Sequence, residues 1–398
     1  MSSDTNHQTT PDEKSGKDVA LESKEIPTDL EKHSPQQPTC SKFKQPSNDN
    51  HTNLSVFKSL SFLDRFLAIW IFLAMLIGIL LGNFVEEVGP ALQKGKFVGV
   101  SVPIAIGLLV MMYPILCKVQ YETLPAILRT RQIYIQLLFS LVANWIIAPL
   151  FMLALAWAFL PDKEALRQGL ILVGIARCIA MVLIWNNLAR GDANYCAILV
   201  AVNSLLQIIL FAPFSIFFLQ TMAPGAAAVE GISYEVVATS VAVFLGIPLG
   251  AAVLTRVSLL YVSESFFHER FLPVISPFSL IGLLFTIIVL FASQGARVVE
   301  QIVSVVRVAA PLVVYFSVVF AVTMVVAMRM GFRYSYAVTQ SFTAASNNFE
   351  LAIAVAVAAF GVDSDQALAA TVGPLVEVPV LLGLVYAVGW FARRRGWE

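Results

Sequence analysis

Charged residues are scarce in this chain: they make up 13% of its 398 residues, while hydrophobic residues reach 58%. An ordinary soluble protein carries about 25% charge. A soluble fold of this length needs far more polar surface to cover its core, so lipid is the solvent this composition fits. A mean hydropathy of +0.77 agrees. The formal net charge is zero, which removes nucleic acid as a partner. The four cysteines, Cys40, Cys117, Cys178 and Cys196, are too few and too scattered for a disulfide framework. The four histidines, His7, His33, His51 and His268, lie far from them, so no Cys/His metal spacing occurs and no cofactor is implied. An intramembrane cysteine hydrolase needs a general base beside its thiol. With no histidine in the membrane to supply one, the chain does not read as an enzyme.

Residues 1–56 lack aromatic and β-branched clusters and are rich in Ser, Thr, Pro, Gln, Asn, Asp, Glu and Lys. Such a segment cannot bury enough apolar area to offset its ordering entropy, and a disordered cytoplasmic tail is expected. It has no apolar h-region and does not read as a cleavable signal peptide. Asn53-Leu54-Ser55 fits a glycosylation acceptor, unused on the cytoplasmic side.

What is abundant is apolar runs. A helical span needs about 20 mostly apolar residues. Ten segments meet that measure: 64–84, 98–117, 133–160, 168–189, 193–222, 234–260, 270–294, 308–330, 335–360 and 366–392. Lys58, Arg65, Lys118, Arg129, Arg131, Arg190, Arg256, Arg270, Arg329, Arg333 and Arg393 to Arg395 fall on one side, and Lys94, Lys96, Lys163, Arg167, Arg297 and Arg307 on the other. The positive-inside rule then makes both termini cytoplasmic.

Segments resemble one another at an offset near 170 residues. Ile77-Gly-Ile-Leu-Leu-Gly82 matches Leu245-Gly-Ile-Pro-Leu-Gly250, Pro103 to Gly107 matches Pro277 to Gly282, and Asn203-Ser-Leu-Leu-Gln207 matches Gly373-Pro-Leu-Val-Glu377. Five spans per repeat force the second half into inverted topology, an architecture of secondary transporters with the substrate site at the repeat interface. The expected units are 57–225 and 226–398.

An ionisable group inside hydrocarbon is a functional candidate by default. Arg177, Glu350 and Glu377 stand out, in Gly174-Ile-Ala-Arg177-Cys178, Ser346-Asn347-Asn348-Phe-Glu350 and Gly373-Pro374-Leu-Val-Glu377-Val-Pro379. Ser341, Thr343 and Ser346 to Asn348 make the ninth span polar, and Pro374 and Pro379 remove helix donors beside Glu377. Freed backbone of this kind belongs inside protein or beside water. The ends of a broken helix bring partial charges to a substrate. Cys178 is a soft ligand suited to thiophilic centres. Its neighbour Arg177 is expected to lower its pKa. The alternative is a small buried apolar residue. Glu350 is either a proton relay or a structural partner of Arg177, and Glu377 carries the same two readings. Trp185, Asn186, Asn203 and Gln207 are candidates for lining the same cavity, or for ordinary interhelical hydrogen bonding.

Together these motifs resemble the arsenical-resistance efflux permeases of the bile-acid/arsenite/riboflavin transporter superfamily. The likeness is carried by Gly174 to Asn186, Ser346 to Ala354, Gly373 to Pro379, Leu60 to Arg65 and Met111 to Val119. It implies an all-α membrane protein with ten transmembrane helices in two inverted five-helix repeats, the fourth and ninth discontinuous and crossing. It implies export of arsenite, and in some members antimonite, in exchange for protons. Cys178 then takes the essential cysteine's place, binding arsenic(III) with Arg177, Asn347, Asn348 and Glu350. Glu350 takes the place of the ninth-span glutamate, and proton coupling falls to Glu350 or Glu377. The long N-terminal tail departs from compact bacterial members and points to a eukaryotic source, with a plasma membrane or vacuolar location. Sodium-coupled carriage of an organic anion and a non-transporting membrane sensor are the competing readings. Oligomeric state is not legible.

Overall fold

The computed structural model describes residues 66–85, 87–119, 121, 131–222 and 233–396. The expectations for residues 1–56, for Asn53, for Cys40 and for the basic residues Lys58, Arg65 and Arg129 lie outside that range.

The described chain is almost entirely helical. In order it runs α1 (Leu67–Phe84), α2 (Val102–Cys117), α3 (131–159), α4 (Glu164–Ile175), α5 (Met181–Leu188) and α6 (Ala193–Met222). It continues with α7 (Tyr234–Val262), α8 (264–300), α9 (Ile302–Arg329), α10 (Tyr334–Ala345), α11 (Phe349–Phe360) and α12 (Asp365–Arg395). Among the described residues six helices are long and apolar enough to cross a membrane: Tyr134–Phe159, α6, α7, Glu264–Gly295, α9 and α12. Shorter apolar helices include Ile69–Phe84, Val102–Cys117 and Phe349–Phe360. Lipid offers no partners to backbone N–H and C=O groups, so helices, which satisfy them internally, are what this composition must form. The chain is an integral, multi-pass membrane protein.

One two-residue hairpin, β1 (Lys96–Phe97) and β2 (Val100–Ser101), interrupts the helical pattern before α2. Val98 and Gly99 occupy its turn at φ 51° and 77°, the conformation a tight two-residue hairpin needs.

Besides the π-helical end of α6, Phe217–Met222, three helices contain a π-helical turn: Ala143–Ile147 in α3, Ala242–Gly246 in α7 and Phe267–Phe271 in α8. Each is followed two residues later by a proline, Pro149, Pro248 or Pro273. A proline ring collides with the carbonyl four residues earlier. The widened turn moves that carbonyl aside, so the helix continues instead of stopping. α12 likewise runs unbroken through Pro374 and Pro379. Their missing donors leave the helix intact, and Glu377 projects from continuous helix, not from a break.

Two groups of helices follow from the packing. In one, α8 lies against α1 and α2, and α7 against α2. Small residues bring these backbones together: a Cβ on Gly82 would stand 2.3 Å from the Ala292 carbonyl oxygen, and one on Gly282 2.8 Å from Met111 N. In the other, α3, α6, α9 and α12 surround the short helices α4, α5, α10 and α11. The candidate site residues lie in this second group.

Candidate functional site

Two helical paths break in mid-course. α4 ends at Ile175 and α5 starts at Met181; α10 ends at Ala345 and α11 starts at Phe349. The extended backbone between them pairs across the gap, Arg177 with Asn347, as an isolated antiparallel bridge. Asn348 N donates to the Ala176 carbonyl at 3.1 Å. Four helix termini therefore converge on one joint, and each leaves backbone groups that need partners.

The C-terminal carbonyls are met by side chains from the breaks themselves. Asn347 Nδ2 donates to Val173 O at 2.7 Å and Ala176 O at 3.1 Å, closing the end of α4. The Arg177 guanidinium donates to Gly174 O, and at 3.5 Å to Ala344 O near the end of α10. It also reaches the Tyr315 hydroxyl at 3.2 Å, which itself donates to Ala344 O at 3.4 Å. A cation at helix C-termini is favourably placed against their partial negative charge.

The N-terminal ends are met from Cys178 and Asn348. The Cys178 sulfur accepts from Val182 N at 3.3 Å, and Asn348 Oδ1 accepts from Leu351 N at 3.1 Å. A thiol at α5 and an amide at α11 thus stand in matching places, 170 residues apart. Glu350 follows in the first turn of α11, at the positive end of the helix.

The breaks are held from the flanking long helices. Gln207 Oε1 on α6 accepts from Arg177 N at 2.5 Å. Glu377 Oε1 on α12 accepts from Ser346 Oγ at 2.5 Å and from Asn347 N at 3.4 Å. Cys178 stands beside Ser346, with Glu377 and Glu350 in electrostatic reach.

Arg177, Cys178, Gln207, Asn347, Asn348, Glu350 and Glu377, all sequence candidates, are brought to one buried joint. Two expectations change. Arg177 was expected to activate the Cys178 thiol, but its guanidinium serves carbonyls and a tyrosine, and the charged groups acting on the thiol are carboxylates. Nor does Arg177 pair with Glu350. Both differences have one cause: a broken helix exposes carbonyls that claim the guanidinium first.

Asn186 and Asn203 turn elsewhere. Asn186 Oδ1 accepts from Thr339 Oγ1 at 2.7 Å, bracing the turn before α6, and Asn203 Oδ1 accepts from Trp145 Nε1 at 3.1 Å. Trp185 is buried with an unpaired ring N–H. Tyr315 at the joint, and Thr339 and Trp145 away from it, are partners that composition gave no reason to single out; each lies in an apolar span with ordinary spacing. Buried polar atoms without a protein partner at the joint include Arg177 Nε, Gln207 Nε2, Asn347 Oδ1 and Asn348 Nδ2.

Buried polar termini of broken helices, inside a multi-pass bundle, are the setting in which secondary transporters place their substrate sites. Comparison with known proteins gives the family. The chain is 46% identical over 335 residues to the arsenical-resistance protein Acr3 of Corynebacterium glutamicum, covering 83% of this chain and 90% of that protein. It is 30% identical over 342 residues to Acr3 of Alkaliphilus metalliredigens, covering 82% and 92%. An uncharacterised transporter of Synechocystis is 33% identical over 359 residues. The model of the sodium bile acid symporter family matches residues 105–301. The chain belongs to the arsenical-resistance permease family, whose members are transporters and not enzymes.

Proposed function

We propose that this protein exports arsenite, and antimonite by the same chemistry, from the cytoplasm in exchange for protons. The observation that carries the reading is the thiol of Cys178 at the joint of two broken helices, in a chain closely similar to two arsenical-resistance proteins. Arsenite at neutral pH is As(OH)3, small, uncharged and thiophilic. The Cys178 sulfur forms a bond to arsenic as one As–OH bond breaks, and the thiol proton leaves with that hydroxide as water. The reverse step with water frees the substrate. A soft sulfur supplies selectivity, and a single thiol keeps the site exchangeable. Asn347 Oδ1 and Asn348 Nδ2, buried without protein partners, suit the remaining hydroxyls as acceptor and donor. Arg177 contributes by holding the half-helices together.

Glu350 binds a proton from outside as substrate leaves and gives it up inside, while Glu377 stands at the second break. Carboxylates buried in the membrane serve this purpose widely. Ten spans in two inverted repeats, 57–225 and 226–398, rocking one bundle against the other, give alternating access. Support comes from the pairs Arg177/Asn347, Gln207/Glu377 and Cys178/Asn348, each offset by 170 residues: the first pair bridges the two breaks, the second accepts a backbone N–H at each break, and the third accepts one from the half-helix that follows. Both termini are assigned to the cytoplasm and the protein to the plasma membrane, with the vacuolar membrane as the other location.

The match to the sodium bile acid symporter model favours one competing reading, sodium-coupled carriage of an organic anion. Uptake of radiolabelled arsenite into everted vesicles separates the two. Acid-inside vesicles should accumulate arsenite without sodium; uptake that needs sodium and ignores the pH gradient refutes proton exchange.

A further inference from the structure

We propose that Glu377 is a positioning residue for the second helix break, doing with a carboxylate what Gln207 does with an amide at the first. The inference rests on the proton-exchange reading and divides the labour between its two carboxylates. Arg177 and Asn347 are partners in the bridge that joins the breaks. Their backbone N–H groups lie in extended chain and have no carbonyl within their own helix. Gln207 Oε1 takes the first at 2.5 Å, and Glu377 Oε1 takes the second at 3.4 Å. The two acceptors come from long helices on either side, α6 and α12, at the same 170-residue offset as the residues they hold. Glu377 Oε1 also accepts from Ser346 Oγ at 2.5 Å, so one oxygen fixes two consecutive residues of the break.

Gln207 carries no titratable proton and still performs this task. What the position requires is therefore an oxygen acceptor at the right place, not a charge. Glu350 differs in every respect. Its carboxylate takes a hydrogen bond from its own backbone N–H, it sits at the start of a half-helix, and the residue 170 positions earlier, Ala180, carries no polar side chain. A carboxylate with no side-chain partner can change protonation without dismantling the joint. Glu377 cannot lose its oxygen from Ser346 and Asn347 without releasing the break. The titratable groups in electrostatic reach of Glu377 are Glu350 and Cys178.

The test compares wild type, Glu377→Gln, Glu377→Ala and Glu350→Gln as full-length protein, by melting in detergent and by arsenite flux in proteoliposomes across a pH series. Glu377→Gln should melt with wild type and keep both flux and its pH profile, because the amide retains the acceptor. Glu377→Ala should melt lower and lose flux at least about tenfold, the scale of one buried donor left unpaired. Glu350→Gln should flatten the pH profile. A flattened profile in Glu377→Gln would assign the proton to Glu377 and overturn the proposal. So would equal melting of Glu377→Ala and Glu377→Gln, a result that needs no transport assay. Absence of arsenite flux in wild type defeats the functional reading instead and leaves the melting comparison to decide the positioning role.

Discussion

Arg177 and Asn347 are bridge partners, and each closes the C-terminal end of a half-helix: the Asn347 amide at Val173 and Ala176, the Arg177 guanidinium at Gly174 and Ala344. Two polar side chains thus let helices stop in the middle of a membrane protein. Interhelical hydrogen bonds in membrane bundles average about 0.6 kcal/mol. Asn348 N and the Tyr315 hydroxyl also reach Ala176 O and Ala344 O, but leaving a buried group such as Val173 O or Gly174 O unpaired costs about 1–3 kcal/mol. Arg177→Ala should therefore lower the melting temperature more than Asn347→Ala, because it removes donors to Gly174 O, Ala344 O and the Tyr315 hydroxyl, against the two carbonyls served by Asn347. Arg177→Lys should recover part of the loss. Equal melting of Arg177→Ala and wild type would remove the guanidinium from the joint.

Glycines separate packing from sequence likeness. Gly82 and Gly250 end matching hexapeptides, yet a Cβ on Gly82 meets the Ala292 backbone at 2.3 Å, while one on Gly250 meets nothing within 4 Å. Gly82→Ala should push α1 away from α8 and cost about 1–3 kcal/mol, the usual price of overpacking. Gly250→Ala should be neutral or slightly stabilising, since alanine is the better helix former. Melting of the two variants side by side checks this.

Gly373 tests the link between α12 and the second break. A Cβ there would stand 1.8 Å from the ring of Phe349, the first residue of α11. The ring is buried and must leave its place. Gly373→Ala is expected to reduce arsenite flux severely while the protein still inserts. Wild-type flux would show that Phe349 is free to move.

In the turn between α3 and α4, Asp162 accepts from both guanidinium arms of Arg307, near the start of α9, with Nη1 to Oδ2 at 2.9 Å. The hydrogen bonds from Arg307 lower the Asp162 pKa from 3.8 to about 2. A carboxylate depressed in the folded state stabilises above its unfolded value and loses that contribution as pH falls through its folded value. The pair should therefore support the fold above about pH 4 and fade towards pH 2. Both partners are solvent-accessible, so the effect is small and salt-sensitive. Asp162→Asn should melt slightly lower than wild type at neutral pH and low salt, with the difference closing in acid or high salt.

Much of the site was legible because it violates the rule for lipid. Arg177, Glu350, Glu377 and the Ser346-Asn347-Asn348 run are polar where apolar residues are expected, and hydropathy alone exposes them. What hydropathy does not carry is direction. Nothing in the order of residues says that Arg177 turns to carbonyls and away from Cys178, because the carbonyls exist only once both helices have stopped. Asn186 and Asn203 looked equivalent to Asn347, but their partners, Thr339 and Trp145, are fixed by packing between distant segments. The π-turns are hidden in the sequence for a related reason: a proline commonly ends a helix, whereas here Pro149, Pro248 and Pro273 shift the register and the helix goes on.

The central claim is that Cys178 takes arsenic during transport. Arsenite uptake into acid-inside everted vesicles should disappear in Cys178→Ser, with the protein present in the membrane at wild-type amount. Uptake at the wild-type rate in that variant would contradict the account.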